Sequence, residues 1–161
     1  MRNTFIFFSI LLIFFTLVVF IFLNKNKINY NVLKYNYGTK IYIDRDYIIS
    51  NNSKFLINKL ILQTARHNSK KIIFFSNFPV IIYRPTCPSN NNVSYYNNWK
   101  LSELKVSIVG ATCTHSKIYF KKFYSPFIIL APGGPIASDP IFIEPLNNNY
   151  KIIILNKKRL P

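Results

Sequence analysis

The hydrophobic pattern divides the chain into one long uncharged run at the N terminus and a series of short apolar runs behind it. The first run, Thr4–Leu23, contains twenty residues without a charge. As a helix it would span about 30 Å, the thickness of the hydrocarbon core of a bilayer. It is longer than the apolar region of a signal peptide, and no small-residue cleavage site follows it. We therefore predict an N-terminal tail at 1–3 and an uncleaved transmembrane anchor at 4–23, with a cleaved signal peptide as the alternative.

The short apolar runs predict a small folded domain behind a polar linker. We place the linker at 24–37, an α+β ectodomain at 38–155 and a basic tail at 156–161. Two runs, 72–75 and 80–83, flank Ser76–Pro79 and are typical of a β-hairpin. Further strands are predicted at 41–43, 47–49, 105–109, 118–123, 127–131, 141–144 and 150–155. The spacing of apolar residues from 54 to 67, with Ser53 as its cap, predicts one main helix in the domain. The predicted fold class is therefore α+β: a single transmembrane helix followed by a strand-rich domain with one main helix.

Composition and charge narrow the class of protein. Half of the residues are hydrophobic, which excludes disorder over most of the length. The formal net charge is +16, with 21 basic residues against five carboxylates. A basic surface selected for an anionic partner would give this balance. Codon bias would give it too, because Lys, Asn, Ile, Phe and Tyr are all abundant and share A/T-rich codons. Both interpretations stay open.

The two cysteines form the first candidate site. Cys87 and Cys113 enclose twenty-five residues, and a disulfide between them would stabilise the fold by about 3–4 kcal/mol in the chain-entropy estimate. Two free thiols are the alternative. The spacing of these cysteines with His67 and His115 does not match a zinc finger, so we predict no metal site.

The residue pattern does not favour an enzyme. Cys113 and His115 could share one face of a strand, with Asp139 as a third group, but no family signature surrounds them. The chain has no nucleophile elbow and no phosphate-binding loop, so we predict no cofactor and no small-molecule substrate. Aromatic residues around Lys121 and Lys122 could stack on nucleic acid. A solvated strand face is favoured behind a membrane anchor, with docking to an acidic glycan or anionic lipid as an alternative.

The orientation of the domain depends on sequence features that disagree. Lys25 and Lys27 follow the anchor, and a count of positive charges would keep the domain in the cytoplasm. Asn51 and Asn92 begin possible glycosylation sequons, and a disulfide needs an oxidising compartment. We predict that the domain lies outside.

Short motifs along nearly the whole chain resemble those of a viral protein family. They are Leu33-Lys34-Tyr35, Tyr42-Ile43-Asp44, Gln63-Thr64-Ala65-Arg66, Pro79-Val80-Ile81-Ile82-Tyr83-Arg84-Pro85, Val109-Gly110-Ala111-Thr112-Cys113-Thr114 and Lys122-Phe123. In this order, behind an N-terminal anchor, they resemble the nineteen-kilodalton per os infectivity factors of baculoviruses, nudiviruses and related large insect DNA viruses. The mass of 18.9 kDa is similar as well.

The resemblance implies a structural protein of the virion envelope, without enzymatic activity. Proteins of this family assemble with other per os infectivity factors into an entry complex that is needed for oral infection of midgut cells. The resemblance also implies transport through host nuclear and endoplasmic reticulum membranes, with Lys25 and Lys27 in the position of a sorting signal. It transfers no catalytic or ligand-binding residue to this chain. A membrane-tethered cationic module that binds acidic glycan or anionic lipid is the alternative function.

Overall fold

A computed structural model of the chain describes residues 2–25, 30–50, 54–65, 70–86, 96–110, 116–131 and 139–156. Within these residues the chain forms one α-helix, α1 (Arg2–Lys25), and one 3₁₀ turn at Lys54–Leu56. The strands are β1 (Tyr30–Lys34), β2 (Ile48–Ile49), β3 (Leu60–Thr64), β4 (Ile72–Ser76), β5 (Val80–Thr86), β6 (Lys100–Val106), β7 (Ile108–Val109), β8 (Ser116–Phe123), β9 (Phe127–Leu130), β10 (Ile141–Pro145) and β11 (Ile152–Ile154).

The predicted apolar helix at the N terminus and the strand-rich domain behind it are confirmed. Helix α1 is apolar on all sides, and its segment Ile6–Asn24 has a mean hydropathy of 3.2 with no residue buried against the rest of the protein. It is long and apolar enough to cross a membrane, although an N-terminal signal sequence has the same character.

The strand-rich domain is a sandwich of two antiparallel sheets. The larger sheet has the strand order β1-β3-β10-β5-β8-β6, and the smaller one has the order β11-β4-β9. The main core fills the space between them. Its buried side chains are Leu62, Ile72, Phe74, Val80, Ile82, Ile128, Leu130, Ile141, Ile143 and Ile154. Burying one such side chain stabilises a fold by about 1.5–3 kcal/mol, so this layer contributes strongly to stability.

The other face of the larger sheet is also covered. Alternate residues of its strands, such as Ile61 and Phe142, point away from the main core into a second one. There the ring of Phe142 meets the ring of Tyr35 edge to face, with centroids 5.2 Å apart. The loops around β2 and β7, which pair with each other, complete this cover.

The predicted main helix of the domain is wrong over the residues that the structure describes. Lys54–Leu56 form a single 3₁₀ turn, Asn58 follows in the left-handed region with φ 67°, and Leu60–Thr64 form β3. Strand β3 is covered on both faces, and four of its five residues are buried. A strand buried on both sides has no polar alternation, and its apolar run looks like part of a buried helix.

Two further boundaries differ from the predicted ones. Tyr30–Lys34, in the predicted linker, form an edge strand that pairs with β3 from Tyr30↔Thr64 to Lys34↔Leu60. The predicted hairpin at 72–83 has both of its strands, but they do not pair with each other. Strand β4 belongs to the smaller sheet and β5 to the larger one, so the turn between them connects the two layers.

Candidate functional site

Three turns lie side by side at one end of the sandwich, and each connects the larger sheet with the smaller one. They are 77–79 between β4 and β5, 124–126 between β8 and β9, and 146–151 between β10 and β11. Two backbone hydrogen bonds join the turns: Asn77 N donates to Lys151 O, and Leu146 N donates to Pro79 O. Ser76 N, at the end of β4, donates to Pro126 O of the remaining turn. We call this surface the three-turn end.

The side chains exposed at the three-turn end include aromatic, aliphatic and basic ones, beside those of Asn77, Ser125 and residues 147–149. Tyr124 is 71% exposed, Leu146 44% and Tyr150 39%, with the exposed Lys122 and Lys151 next to them in the chain. The Nζ atom of Lys122 lies 4.9 Å from the centre of the Tyr124 ring. None of the three turns contains a carboxylate. The three-turn end is therefore a cationic surface with apolar projections.

The strand that follows α1 enters the sandwich at the opposite end. Tyr30 pairs with Thr64, the last residue of β3. Leu60, the first residue of β3, pairs with Ile143 of β10, and β10 continues from there towards the three-turn end. At about 3.4 Å per residue, the level of Tyr30 lies about 20 Å from the turns. Only residues 26–29 separate α1 from Tyr30, a span of at most about 17 Å. The three-turn end therefore points away from the side on which α1 joins the sandwich.

The smaller sheet leaves part of an apolar face uncovered; Ile73 on that face is only 5% exposed, whereas Phe127, Ile129 and Ile153 are exposed. On β4, Ile72 and Phe74 point into the core, so Ile73 and Phe75 point outward. Phe75 pairs with Phe127 on one side and Ile153 on the other, and its ring lies 5.5 Å from that of Phe127. We call this surface the outer face; its residues are Ile73, Phe75, Phe127, Ile129 and Ile153. Phe127 and Ile129 are more than half exposed.

Lysines lie at both ends of the outer face. Lys71 directly precedes β4, and Lys151 lies beside Asn77, which directly follows β4. Both lysine side chains are exposed. An apolar centre with a basic rim is a typical composition for a surface that binds an acidic partner.

A buried polar cluster lies at the other end of β5. Thr86 Oγ1 donates to Tyr96 OH over 3.0 Å, Tyr96 OH donates to Asp139, and Arg84 Nη1 donates to Ala131 O over 2.8 Å. Burial raises the pKa of Asp139, although Arg84 opposes this effect, and burial also raises the pKa of Tyr96. These side chains are at most 6% exposed. Their bonds fix neighbouring segments to one another, which is a structural role.

A second carboxylate is engaged on the outside of the larger sheet. Glu144 Oε2 accepts a hydrogen bond from Tyr83 OH over 2.5 Å and forms an ion pair of 2.9 Å with Lys59. Burial opposes ionisation of Glu144, but the hydrogen bonds from Lys59 and Tyr83 outweigh it and lower its pKa. Burial, followed by the bond to Glu144, raises the pKa of Tyr83. Glu144 is therefore a charged acceptor whose partners lie within the domain.

Most residues of the predicted sites lie outside the described residues. This holds for Cys87 and Cys113, for both sequon residues Asn51 and Asn92, and for Lys27. Lys25 is the last residue of α1. The histidines proposed with the cysteines, 67 and 115, are also outside. The disulfide, the sequons and the sorting signal therefore remain predictions.

In the basic and aromatic stretch around Lys121 and Lys122, the rings of Tyr119 and Phe120 pack against other rings of the domain. The ring of Tyr119 stacks on Tyr96 with centroids 4.3 Å apart, and Phe120 packs against Tyr83. Tyr124 remains exposed at the three-turn end.

Comparison with known proteins gives a likeness in fold. No protein-family model matches this chain, and no curated protein matches it. Among solved structures, a β-glucuronidase from glycoside hydrolase family 2 superposes with a TM-score of 0.62 at 13% sequence identity. The match covers 74% of this chain and 14% of that enzyme. The chain thus spans a small part of that protein's length, and the likeness concerns the fold alone.

Sequence reasoning missed the outer face and the three-turn end. The runs 127–130 and 152–154 are apolar at every position, which indicates strands with two apolar faces. That signal is present in the sequence, but it does not show that one of the two faces is left uncovered.

Proposed function

We propose that this chain is a non-enzymatic structural subunit of a viral envelope entry complex, a per os infectivity factor anchored by α1. The observation that carries the proposal is the outer face, on which Phe127, Ile129 and Ile153 are exposed side by side. An exposed apolar sheet face of this kind is typical of a protein-binding surface. The motif resemblance described above supports the viral family.

The proposed occupant of the outer face is another membrane-anchored subunit of the same envelope, with carboxylates around an apolar centre. A second copy of this chain fits less well, because it would bring Lys71 and Lys151 towards the same lysines of its partner. The net charge of +16 adds repulsion between copies. The proposed location is the virion envelope, reached through host nuclear and endoplasmic reticulum membranes, with the sandwich on the outside. No cofactor or nucleic acid takes part.

Native gel electrophoresis in mild detergent, followed by mass spectrometry, tests the assembly. We expect the wild-type protein in a high-mass, salt-resistant band with a fixed set of other membrane-anchored viral proteins. The double variant Ile129→Thr/Ile153→Thr should leave that band, because it removes two apolar side chains from the outer face while keeping residues that favour strands.

The matched control is Val32→Thr/Leu101→Thr, which changes two exposed apolar strand residues outside the outer face. It should stay in the complex. Wild-type protein that migrates as a small free species would overturn the proposed function. If both double variants stayed in the high-mass band, or both left it, the outer face would not be the surface that binds the other subunits.

An alternative function, a tethered cationic binding module, is favoured by one observation. The exposed tyrosines and lysines of the three-turn end form a second surface at one end of the sandwich, with tyrosines where the outer face has phenylalanine and isoleucine.

A further inference from the structure

We propose that the three-turn end docks onto the anionic lipid surface of a second membrane, opposite the membrane that holds α1. The inference rests on the membrane anchor of the proposed function, but it does not require the partner subunits. It assigns a role to a surface that shares only Lys151 with the outer face.

The charge of the three-turn end complements an anionic lipid surface. Lys122 and Lys151 are exposed there, and the three turns contain no carboxylate. Glu144 precedes the third turn, but its charge is paired with Lys59 at 2.9 Å and it accepts a hydrogen bond from Tyr83. Lysines close to anionic lipid each strengthen binding about five-fold.

The projecting side chains suit the boundary between lipid headgroups and acyl chains. Tyr124 and Tyr150 combine an apolar ring with a polar hydroxyl, the type of side chain that is enriched at membrane–water interfaces. Leu146, in the same turn as Tyr150, adds an aliphatic group with 44% of its surface in water. Basic residues next to aromatic and aliphatic ones form the typical composition of interfacial membrane-binding surfaces.

The amide groups at this end favour lipid over a glycan. A sugar site needs free polar groups, yet the Asn77 side chain donates to Asn149 O and accepts from Lys151 N. The Asn147 side chain accepts from Asn149 N. These two side chains hold the turns together, so the groups left to meet a ligand are the apolar and cationic side chains and the amides of Asn148 and Asn149.

The position of the three-turn end decides which membrane it meets. The strand after α1 enters the sandwich at the opposite end, about 20 Å away along the strands. The connection of residues 26–29 is short, so the anchoring bilayer lies near that entry. The tyrosines and lysines lie at the end of the sandwich remote from this entry, where an approaching membrane can meet them.

Full-length protein in nanodiscs of phosphatidylcholine provides the test. A nanodisc exposes both sides of its bilayer, so the orientation of the anchor does not affect the result. Fluorescent nanodiscs are mixed with free vesicles of phosphatidylcholine alone or of phosphatidylcholine with phosphatidylserine, and co-flotation is measured. We expect capture by the phosphatidylserine vesicles that weakens steeply with rising salt, because screening reduces the attraction between the lysines and the lipid.

Variants locate the binding surface. Lys122→Gln/Lys151→Gln should weaken capture about 25-fold, which is two lysines at about five-fold each. Tyr124→Ser/Leu146→Ser should weaken it as well while leaving the charge unchanged. The matched controls are Lys100→Gln/Lys105→Gln and Tyr37→Ser/Leu101→Ser, which change exposed residues of the same types elsewhere. Circular dichroism checks that each variant remains folded.

Several outcomes would overturn the inference. Equal capture by neutral and anionic vesicles would show that charge does not drive the binding. An equal loss of capture in the variants and their controls would show that the three-turn end is not the binding surface. Binding to an acidic glycan polymer in preference to vesicles would identify a different ligand. The outer-face variant Ile129→Thr/Ile153→Thr should bind vesicles normally, so failure of the subunit complex and failure of lipid docking can be told apart.

Discussion

The side chain of Asp139 lies almost entirely out of water, where the hydroxyl of Tyr96 donates a hydrogen bond to it. Burial raises its pKa above that of a free aspartate, which is about 3.9. The folded state therefore binds this proton more tightly than the unfolded state. The contribution of Asp139 to the free energy of unfolding therefore falls as the pH rises from about 4 through the raised pKa. Above the raised pKa this contribution no longer changes with pH.

Replacing Asp139 with Asn should remove this pH dependence. Asparagine keeps an oxygen that can accept the hydrogen bond from Tyr96, but it does not ionise. We expect the wild type to lose stability relative to Asp139→Asn as the pH rises through this window. Thermal unfolding of the full chain in detergent, measured across the pH range for both proteins, checks the expectation.

The matched control is Asp46→Asn, on an exposed carboxylate. The hydrogen bond and charge of Lys40 lower the pKa of Asp46, so its contribution is present above the pKa of a free aspartate and is lost as the pH falls. The two variants should therefore differ from the wild type with opposite pH slopes. Parallel profiles of stability against pH for the wild type and Asp139→Asn would contradict a raised pKa of Asp139 in the folded state.

At the scale of elements, one side chain fixes the end of β11 to β4. Asn156, at the start of the predicted basic tail, is 1% exposed. Its Oδ1 accepts from Ile73 N over 3.0 Å, and its Nδ2 donates to Lys71 O over 2.8 Å. The asparagine thus occupies the place of a further residue in the ladder between the two strands.

Replacing Asn156 with Ala should destabilise the sandwich by about 1–3 kcal/mol, because a buried backbone donor loses its partner. Chemical denaturation of the detergent-solubilised chain measures this change. Asn147→Ala is the control, since its hydrogen bond to Asn149 N is exposed and should be worth no more than about 0.5 kcal/mol. A loss of stability at Asn156 as small as at Asn147 would show that the β11–β4 pairing does not need this side chain.

The sequence predicts strands better than it predicts which strands pair. The apolar runs at 72–75, 80–83, 118–123 and 127–130 all form strands, because such runs are short and bounded by turn residues. Their assignment to sheets was not predictable, since a short turn such as 77–79 can join neighbours in one sheet or connect two layers. The same ambiguity hid both candidate surfaces, which exist only once the layers are assembled.

At the scale of the whole molecule, the two candidate surfaces face different directions. The outer face lies along the side of the sandwich, on the smaller sheet, and the three-turn end lies at the tip remote from the strand that follows α1. A partner on the outer face would stand beside this chain in the same membrane. The rest of the tip would remain free to meet a second membrane, with Lys151 at the border between the two surfaces.

Both contacts require that α1 remains part of the mature protein and crosses a membrane. We expect the purified protein to have an intact mass that includes α1, and to stay with the membrane fraction after extraction with alkaline carbonate. Phe14→Lys/Phe15→Lys should abolish retention, because a central lysine costs about 2.5–3.5 kcal/mol in membrane insertion. Leu101→Lys/Leu104→Lys adds the same charge at exposed positions of the sandwich and should be retained. A mass that lacks the first apolar run would instead identify it as a signal sequence, and the sandwich would then need another means of attachment.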